Sequence, residues 1–298
     1  MRCQNRHRIF YNRGIMDFHK EKIFELLGEL DATAEQEYNY FHNRSVMIPS
    51  RKEVIRIIKN IQYLMFPDYF PLSENEGKSR EEIADKVYLL IKRQITAACS
   101  FCDGDGTVDT ETLAYDLLSV IPKVKRMLIK DVQAIYEGDP AARSPEEIIL
   151  SYPGFYAISI YRLAHEFYVR KIPYIARMMT EFAHEKTGID IHAGATVGEY
   201  FFIDHGTGIV IGETTTIGDR VKIYQGVTLG AKSFELDDDG NPIKGIKRHP
   251  DIGNNCIIYA NATILGGNTK IGDGCVIGGN VWLTHSVAPG EVVYYNNK

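Results

Sequence analysis

The chain has 298 residues, of which 44% are hydrophobic and 24% are charged, the proportions of a globular protein with room for two domains. A disulfide miniprotein is therefore excluded. Against 39 acidic residues stand 34 Lys and Arg, and the formal net charge of −5 does not indicate nucleic-acid binding. The chain has no run of about 18 apolar residues, so a membrane span is not predicted. Five cysteines, an odd number, are more typical of a reducing compartment, and we expect a cytoplasmic protein.

The N-terminal segment is basic, with four arginines and no acidic residue in its first fifteen positions. No apolar stretch follows it, so a secretory signal is not predicted. We expect a disordered tail over residues 1–16. An Arg-rich transit peptide and a true start at Met16 are the alternatives.

Residues 17–186 have the pattern of an all-α domain. Apolar residues recur there at intervals of three and four, with charged residues on the opposite face of each predicted helix. Prolines and Asp-Gly pairs interrupt this pattern, and two long periodic stretches follow at residues 112–137 and 144–169. Cys99 and Cys102 have the spacing of a metal or redox pair, but no second pair follows, so we expect unreactive thiols.

After residue 186 a repeat of six residues replaces the helical period. The repeated apolar positions are Ile191, Val197, Ile203, Ile209 with Ile211, Ile217, Ile223, Leu229, Ile252, Ile258, Ile264, Ile271, Ile277 and Leu283. Each unit predicts a short strand and a turn, and three units close one coil of a parallel β-helix whose stacked coils bury the apolar column. These thirteen units predict about four coils within residues 187–298. A β-sandwich, the alternative, would show a period of two.

The repeat is interrupted between Leu229 and Ile252 by seventeen polar and turn-rich residues, 231–247. A segment of this composition does not fit the wall of a coil. We expect it to protrude as a loop, and protruding loops on rigid scaffolds often carry function.

Three groups of polar residues stand out in the coil region, namely Asp190-Ile191-His192, Asp204-His205 and Arg248-His249. A carboxylate beside an imidazole raises the basicity of the ring, so that the ring accepts a proton from a hydroxyl nucleophile. An arginine offers two parallel hydrogen bonds to a substrate carboxylate. Spacing alone does not show whether these groups form one site.

Together these motifs resemble the serine O-acetyltransferase family, enzymes of cysteine biosynthesis built on a left-handed parallel β-helix that follows a helical domain. The resemblance spans roughly residues 130–290 and rests on Asp139-Pro140-Ala141, Asp190-Ile191-His192, Asp204-His205-Gly206-Thr207-Gly208-Ile209-Val210-Ile211-Gly212-Glu213 and Arg248-His249-Pro250. It implies an α+β fold of hexapeptide repeats. It also implies transfer of an acetyl group from acetyl-CoA to the L-serine hydroxyl with release of CoA, the first step of cysteine biosynthesis.

The resemblance implies a role for each matching residue around the serine hydroxyl and ammonium. His205 corresponds to the general base that deprotonates the hydroxyl, and Asp190 to the carboxylate partner of that base. Asp139 and Asp204 correspond to the acids that hold the ammonium group.

The resemblance likewise implies how the rest of the two substrates is bound. Arg248 and His249 correspond to the residues that bind the serine carboxylate, and Glu213 to a further acid of the substrate site. No metal is expected. Backbone contacts with acetyl-CoA are expected at Gly230, Ala231, Ala260 and Gly279.

The family forms its site between neighbouring β-helices of a trimer, so a homotrimer or a dimer of trimers is implied. L-cysteine is expected to inhibit competitively, because it differs from serine in one side-chain atom. Family members that dock into cysteine synthase use a flexible tail ending in isoleucine, whereas this chain ends at Asn296-Asn297-Lys298, so we do not expect that partnership. Loop 231–247 also departs from the short Gly-rich link of the common bacterial form.

Three alternatives have distinct chemistry. A hexapeptide acetyltransferase acting on a sugar hydroxyl would need no Arg248 to bind a carboxylate. A metal hydratase of the γ-carbonic-anhydrase type would place His192, His205 and His249 on zinc. A β-helix scaffold without activity would bind no acetyl-CoA.

Overall fold

The computed structural model describes residues 20–30, 47–103 and 108–295. The predicted tail over residues 1–16 and the side chain of Cys102 lie outside the described residues.

The chain divides into two compact units, Met1–Val46 and Met47–Lys298. The described part of the first unit is one helix, α1, over residues 20–30. The second unit begins with α-helices and one short 3-10 helix at Ser73–Asn75. Its α-helices are α2 (Arg51–Met65), α3 (Arg80–Asp103), α4 (Thr110–Ser119), α5 (Ile121–Gly138), α6 (Pro145–Ser151), α7 (Pro153–Val169) and α8 (Ile175–Thr187). No described helix is long and apolar enough to cross a membrane.

Local sequence sets where these helices begin. The Ser50 hydroxyl accepts a hydrogen bond from the N–H three residues on and so caps α2. Pro122 and Pro153 lie in the first turns of α5 and α7. Backbone N–H groups in a first turn have no partner within the helix, so the N–H that proline lacks is not needed there. The two long periodic stretches, 112–137 and 144–169, are therefore each divided between two helices.

After α8 the chain winds into a parallel β-helix with three faces. Face A consists of β1 (Asp190–Ile191), β4 (Val210–Ile211), β7 (Thr228–Gly230), β10 (Thr263–Leu265) and β13 (Trp282–Leu283). Face B consists of β2 (Thr196–Val197), β5 (Thr216–Ile217), β8 (Asp251–Ile252) and β11 (Lys270–Ile271). Face C consists of β3 (Phe202–Asp204), β6 (Lys222–Tyr224), β9 (Ile257–Ile258), β12 (Val276–Ile277) and β14 (Val292–Val293).

Each face stacks the same repeat position of successive coils. On face A the paired, buried side chains are, in order, Ile191, Ile211, Leu229, Ile264 and Leu283. Removing this column from water is the main stabilisation of the coil, and no single six-residue unit achieves it.

The β-helix has about five coils, one more than the sequence predicted. The fifth coil consists of β13, an isolated bridge between Ile271 and Val287, and β14. Valine occupies the repeat positions there, at Val287 and Val293, and neither valine is followed by glycine. The sequence count therefore stopped at Leu283.

Loop 231–247 leaves the β-helix between β7 and β8, and nearly all of its residues are exposed. Leu236 and Pro242 form an antiparallel bridge within it. At its base, Lys247 Nζ donates a hydrogen bond to the carbonyl of Thr214 at 2.5 Å. The loop therefore protrudes from a fixed base.

One hydrophobic core runs through the second unit. Buried side chains of the helices, such as Ile57, Leu128 and Phe155, belong to the same cluster as Ile191 and Ile264 of the coils. The helices are thus packed directly on the β-helix.

Candidate functional site

Two corners of the β-helix hold the polar residues that the sequence singled out. The C–A corner, where the chain passes from face C to face A, includes residues 205–209 between β3 and β4. The A–B corner, between faces A and B, includes residues 212–215 and the base of loop 231–247. Strand β4 separates these two corners.

His205 projects from the C–A corner. Its backbone φ is 58°, a left-handed conformation uncommon for residues other than glycine, and Gly206 follows with a φ of 90°. The imidazole is 72% exposed, and its Nε2 lies 3.8 Å from Oδ1 of Asp204. This turn therefore presents the ring to solvent beside a carboxylate.

A cleft of about 750 Å³ opens beside His205 and is also lined by Asp204 and by Asp139, the residue directly after α5. Oδ1 of Asp139 accepts a hydrogen bond from Ala141 N, and Oδ2 accepts one from the Tyr152 hydroxyl, both at 2.8 Å. Burial and this hydrogen bond raise the pKa of Tyr152 to about 12, so its hydroxyl remains a donor at neutral pH. The cleft brings three of the predicted site residues together.

Lys222 is a residue of this cleft that sequence reasoning missed. Its Nζ donates to the Gly138 carbonyl at 2.8 Å and lies 3.8 Å from Oδ2 of Asp204. The same atom lies 4.3 and 4.9 Å from the ring centres of Phe202 and Tyr224. A cation there partly neutralises the charge of Asp204.

Asp190 begins β1, at the end of face A nearest to the C–A corner. The contact that the His205 ring makes is with Asp204 rather than with Asp190. The pairing of Asp190 with His205 stays a prediction, and it requires the exposed imidazole to rotate.

Three polar side chains form a connected row at the A–B corner. Nη2 of Arg248 lies 2.5 Å from Oε2 of Glu213, and Oε1 of Glu213 accepts a hydrogen bond from the Tyr168 hydroxyl at 2.8 Å. Burial alone would raise the pKa of Glu213, but the hydrogen bonds from Tyr168 and Arg248 lower it. Glu213 is therefore ionised and holds the guanidinium in place.

His249 is buried behind Arg248. Its ring packs against Gly212, where an added Cβ would lie 2.0 Å from the ring atom Cδ2. The ring atom Nδ1 accepts a hydrogen bond from Thr214 N at 3.1 Å. Burial, followed by the charge of Arg248, lowers the pKa of His249 to about 4. The neutral ring therefore carries its proton on Nε2, which is left as its donor.

Thr214 is a second residue that sequence reasoning missed. Its hydroxyl accepts hydrogen bonds from the backbone N–H groups of Arg248 and His249, at 3.0 and 3.1 Å. It thus fixes the chain where loop 231–247 returns to the coil. Its place directly after the Gly-Glu pair was the only signal in the sequence.

His192 adjoins the A–B corner. Its ring meets the edge of Tyr168 at a centroid distance of 5.7 Å, and its Nδ1 accepts a hydrogen bond from Gly194 N at 3.0 Å. Burial is the main reason that the pKa of His192 is lowered. His205 lies at the other corner, and in the part of the chain that the structure describes no three His, Cys, Asp or Glu side chains are grouped to hold a metal ion.

The residues expected to contact acetyl-CoA fall into two pairs at the two ends of face A. Gly230 ends β7, and Ala231 follows it at the A–B corner. Ala260 and Gly279 lie at the C–A corner in neighbouring coils, and a Cβ added to Gly279 would lie 3.2 Å from the Ala260 carbonyl oxygen. Contact of these four residues with acetyl-CoA stays a prediction.

A helical region followed by a parallel β-helix, with an exposed imidazole among carboxylates, defines the hexapeptide-repeat acyltransferases as the class of this protein. No family model matches the chain. A plasmid-encoded serine acetyltransferase from Synechococcus elongatus is 44% identical over 260 residues, which cover 83% of this chain and 81% of that protein. The chain belongs to the serine acetyltransferase family.

Solved structures agree with this assignment. Serine acetyltransferase isoform 3 from Entamoeba histolytica, in complex with cysteine, superposes with a TM-score of 0.69 at 32% identity, over 93% of this chain and 94% of that one. Serine acetyltransferase 1 of the same organism, in complex with L-cysteine, has a TM-score of 0.69 at 35% identity, over 92% and 98%. The predicted fold is confirmed, and so is the function: the chain acetylates serine in cysteine biosynthesis, and a sugar acceptor is not favoured.

Proposed function

We propose that the two corners are the two halves of one L-serine site, completed between neighbouring copies of the chain, with acetyl-CoA as the acetyl donor. The observation that carries this proposal is the separation of charge between the corners. Asp139 and His205 lie at the C–A corner, whereas Arg248 lies at the A–B corner. L-serine has an ammonium, a carboxylate and a hydroxyl, so it requires both halves.

A head-to-tail contact between copies would join the two halves. The C–A corner of one copy would meet the A–B corner of the next, and such a contact closes into a ring if the rotation between copies allows it. Three copies would then form three equivalent sites. We infer a homotrimer, and a dimer of trimers would keep the same contact.

Each group of the substrate has a matching group in the combined site. The carboxylates of the cleft bind the ammonium, and Arg248 binds the carboxylate by two parallel hydrogen bonds. His249 Nε2 supplies a further donor to that carboxylate. The hydroxyl is then left beside His205. Glu213 acts in this arrangement by orienting Arg248, with which it forms an ion pair.

His205 acts as the general base. It accepts the proton of the serine hydroxyl while the oxygen attacks the thioester carbonyl carbon of acetyl-CoA. A C–O bond forms, the C–S bond breaks, and the imidazolium returns its proton to the sulfur of CoA. The products are O-acetyl-L-serine and CoA. Asp204, and Asp190 once the ring has rotated, stabilise the positive charge on the imidazole.

L-cysteine satisfies the same ammonium and carboxylate contacts, with a thiol in place of the hydroxyl. The two Entamoeba histolytica relatives were solved with cysteine bound. We therefore infer that L-cysteine occupies the serine site of this chain and inhibits competitively.

Mixing two variants, each impaired in one half of the site, tests the shared site when L-serine is held well below the raised KM of Arg248→Ala. His205→Ala damages only the C–A corner, and Arg248→Ala only the A–B corner. If the two chains are unfolded together and refolded at equal concentrations, they assemble into trimers at random. About a quarter of the contacts between copies then join two undamaged corners and form an intact site. We expect about a quarter of the wild-type activity, measured as thiol release from acetyl-CoA with L-serine. Activity that stays at the level of the separate variants would contradict a site shared between copies.

A further inference from the structure

Helix α7 is fixed to the first coil of the β-helix along its length. At its start, a Cβ added to Gly154 would lie 2.7 Å from the Ile203 carbonyl oxygen. In its middle, the Tyr161 hydroxyl donates to the Ala195 carbonyl at 2.5 Å. The next residue, Arg162, donates to two more carbonyls of the first coil, at 3.3 and 2.8 Å. The helix therefore has little freedom to move relative to the coil.

The two ends of α7 reach the two corners of the chain that supply the half-sites for serine. Tyr152, the residue that precedes the first turn, donates its hydroxyl hydrogen bond to Asp139 at the C–A corner. Tyr168, one residue before the end of the helix, donates to Glu213 at the A–B corner. With 17 residues the helix is about 25 Å long, so one rigid element connects the two corners of one copy, each of which contributes half of a different serine site in the assembly.

We propose that Tyr152 and Tyr168 are positioning residues, which set the affinity of the two half-sites for serine, and that α7 holds them in a fixed relation. The proposal rests on the serine site described above. Neither tyrosine contacts the substrate. Each acts through an acid. Tyr168 orients Glu213, which in turn orients Arg248, and Tyr152 orients Asp139.

The effect of each hydroxyl follows from the geometry of the acid that it binds. Both oxygens of Glu213 accept hydrogen bonds, so its carboxylate is held in one orientation and directs Arg248. Without the Tyr168 hydroxyl, the Glu213 carboxylate rotates more freely and no longer fixes Arg248. The loss of Arg248 side-chain freedom on binding serine then lowers the affinity for serine. Asp139 is held in the same way, by Ala141 N on one oxygen and Tyr152 on the other.

Three matched variants on one helix test this role. Tyr152→Phe and Tyr168→Phe each remove a hydroxyl that binds an acid, and Tyr156→Phe removes a half-buried hydroxyl between them that contacts neither acid. We expect the first two to raise KM for L-serine about 5- to 10-fold, the value of one ordinary hydrogen bond. KM for acetyl-CoA and the melting temperature should match those of Tyr156→Phe. Equal rises of both KM values, or the same rise in Tyr156→Phe, would overturn the proposal.

Two serine analogues separate the half-sites, each measured as an inhibitor competing with serine. L-serinamide retains the ammonium but has no carboxylate, and 3-hydroxypropanoate retains the carboxylate but has no ammonium. Tyr168→Phe should weaken 3-hydroxypropanoate and leave L-serinamide unchanged, whereas Tyr152→Phe should do the reverse. A merely structural role would weaken both analogues equally in both variants, and that result would also overturn the proposal.

A double-mutant cycle shows whether Tyr168 acts through Glu213. If it does, Tyr168→Phe should add little to the KM of Glu213→Gln, and additive effects would count against the connection. The wild-type chain separates this inference from the serine site itself. If the wild type neither acetylates nor binds L-serine, both proposals are wrong. If it does both and the tyrosine variants behave like it, only the role of the tyrosines is wrong.

Discussion

Asp131 of α5 and Arg162 of α7 form a two-pronged ion pair closed to solvent. Nε and Nη2 of Arg162 lie 2.6 and 2.7 Å from the two oxygens of Asp131, and the two side chains are 3% and 0% exposed, respectively. Oδ1 of Asp131 also accepts a hydrogen bond from Phe201 N, and Arg162 donates to the carbonyls of Val197 and Gly198. All three of these residues belong to the first coil, so the pair ties two helices to the β-helix.

Breaking this pair should destabilise the fold. Asp131→Asn leaves the guanidinium of Arg162 buried without a counter-charge, and we expect the free energy of unfolding in urea to fall by about 3–5 kcal/mol. The control is Glu185→Gln, which breaks a pair with Arg51 whose side chains are 50% and 56% exposed, and which should leave the urea midpoint unchanged. Similar midpoints for the two variants would show that the buried pair is dispensable.

His205→Ala should abolish acetyl transfer without unfolding the protein. The imidazole is 72% exposed, so its removal should cost little packing. We expect kcat to fall roughly 10²-fold or more, while the melting temperature and the elution volume on gel filtration stay those of the wild type. Activity within a few-fold of the wild type would remove His205 from the mechanism.

Arg248→Ala should affect the two substrates unequally. The loss of a charge-assisted, two-pronged contact with the serine carboxylate commonly costs about 1.5–3 kcal/mol, so KM for serine should rise at least tenfold. KM for acetyl-CoA should change much less. Initial rates measured over a grid of both substrates give the two values, and equal weakening would favour a role for Arg248 in binding CoA phosphate.

The buried His249 should make stability depend on pH. Its pKa is about 4 in the folded chain and about 6.5 when unfolded, so the unfolded state binds more protons between these values. Stability should therefore fall as the pH drops from about 6.5 to 4, by on the order of 2 kcal/mol from this group. Urea unfolding at pH 7.5 and 4.5 measures the loss. It should be smaller by that amount in His249→Gln, and an identical loss would mean that His249 does not titrate as inferred.

The protruding loop should matter more for cysteine than for serine. Loop 231–247 begins and ends at the A–B corner, beside Arg248, and we expect it to close over bound cysteine. Replacing residues 233–245 with a short Gly-Ser link should weaken inhibition by L-cysteine and largely spare serine turnover. Titrating cysteine against serine in both proteins tests this prediction. An unchanged inhibition constant would make the loop an inert insertion, and inhibition that serine cannot overcome would contradict a shared site.

The order of helices and β-helix was predictable because it depends on interactions that repeat along the chain. A period of six with isoleucine inside and glycine at the turn forces the same strand and corner in each unit, as in the column from Ile191 to Leu283. The candidate residues were visible for a related reason. His205 and Arg248 are polar residues in a repeat that needs few of them, and their motifs resemble those of a known family.

Only the tertiary structure determined the relations between residues that are far apart in the chain. Asp131 and Arg162 look like ordinary helix residues in the sequence, and only the packing of α5 and α7 on the first coil buries them together. The fifth coil, around Val287, was missed because stacking on the preceding coil can hold a unit whose own sequence is irregular. The hydrogen bond from Tyr168 to Glu213 spans 45 positions. It forms because one rigid helix packs across the first coil. The six-residue repeat contains no local signal for that packing.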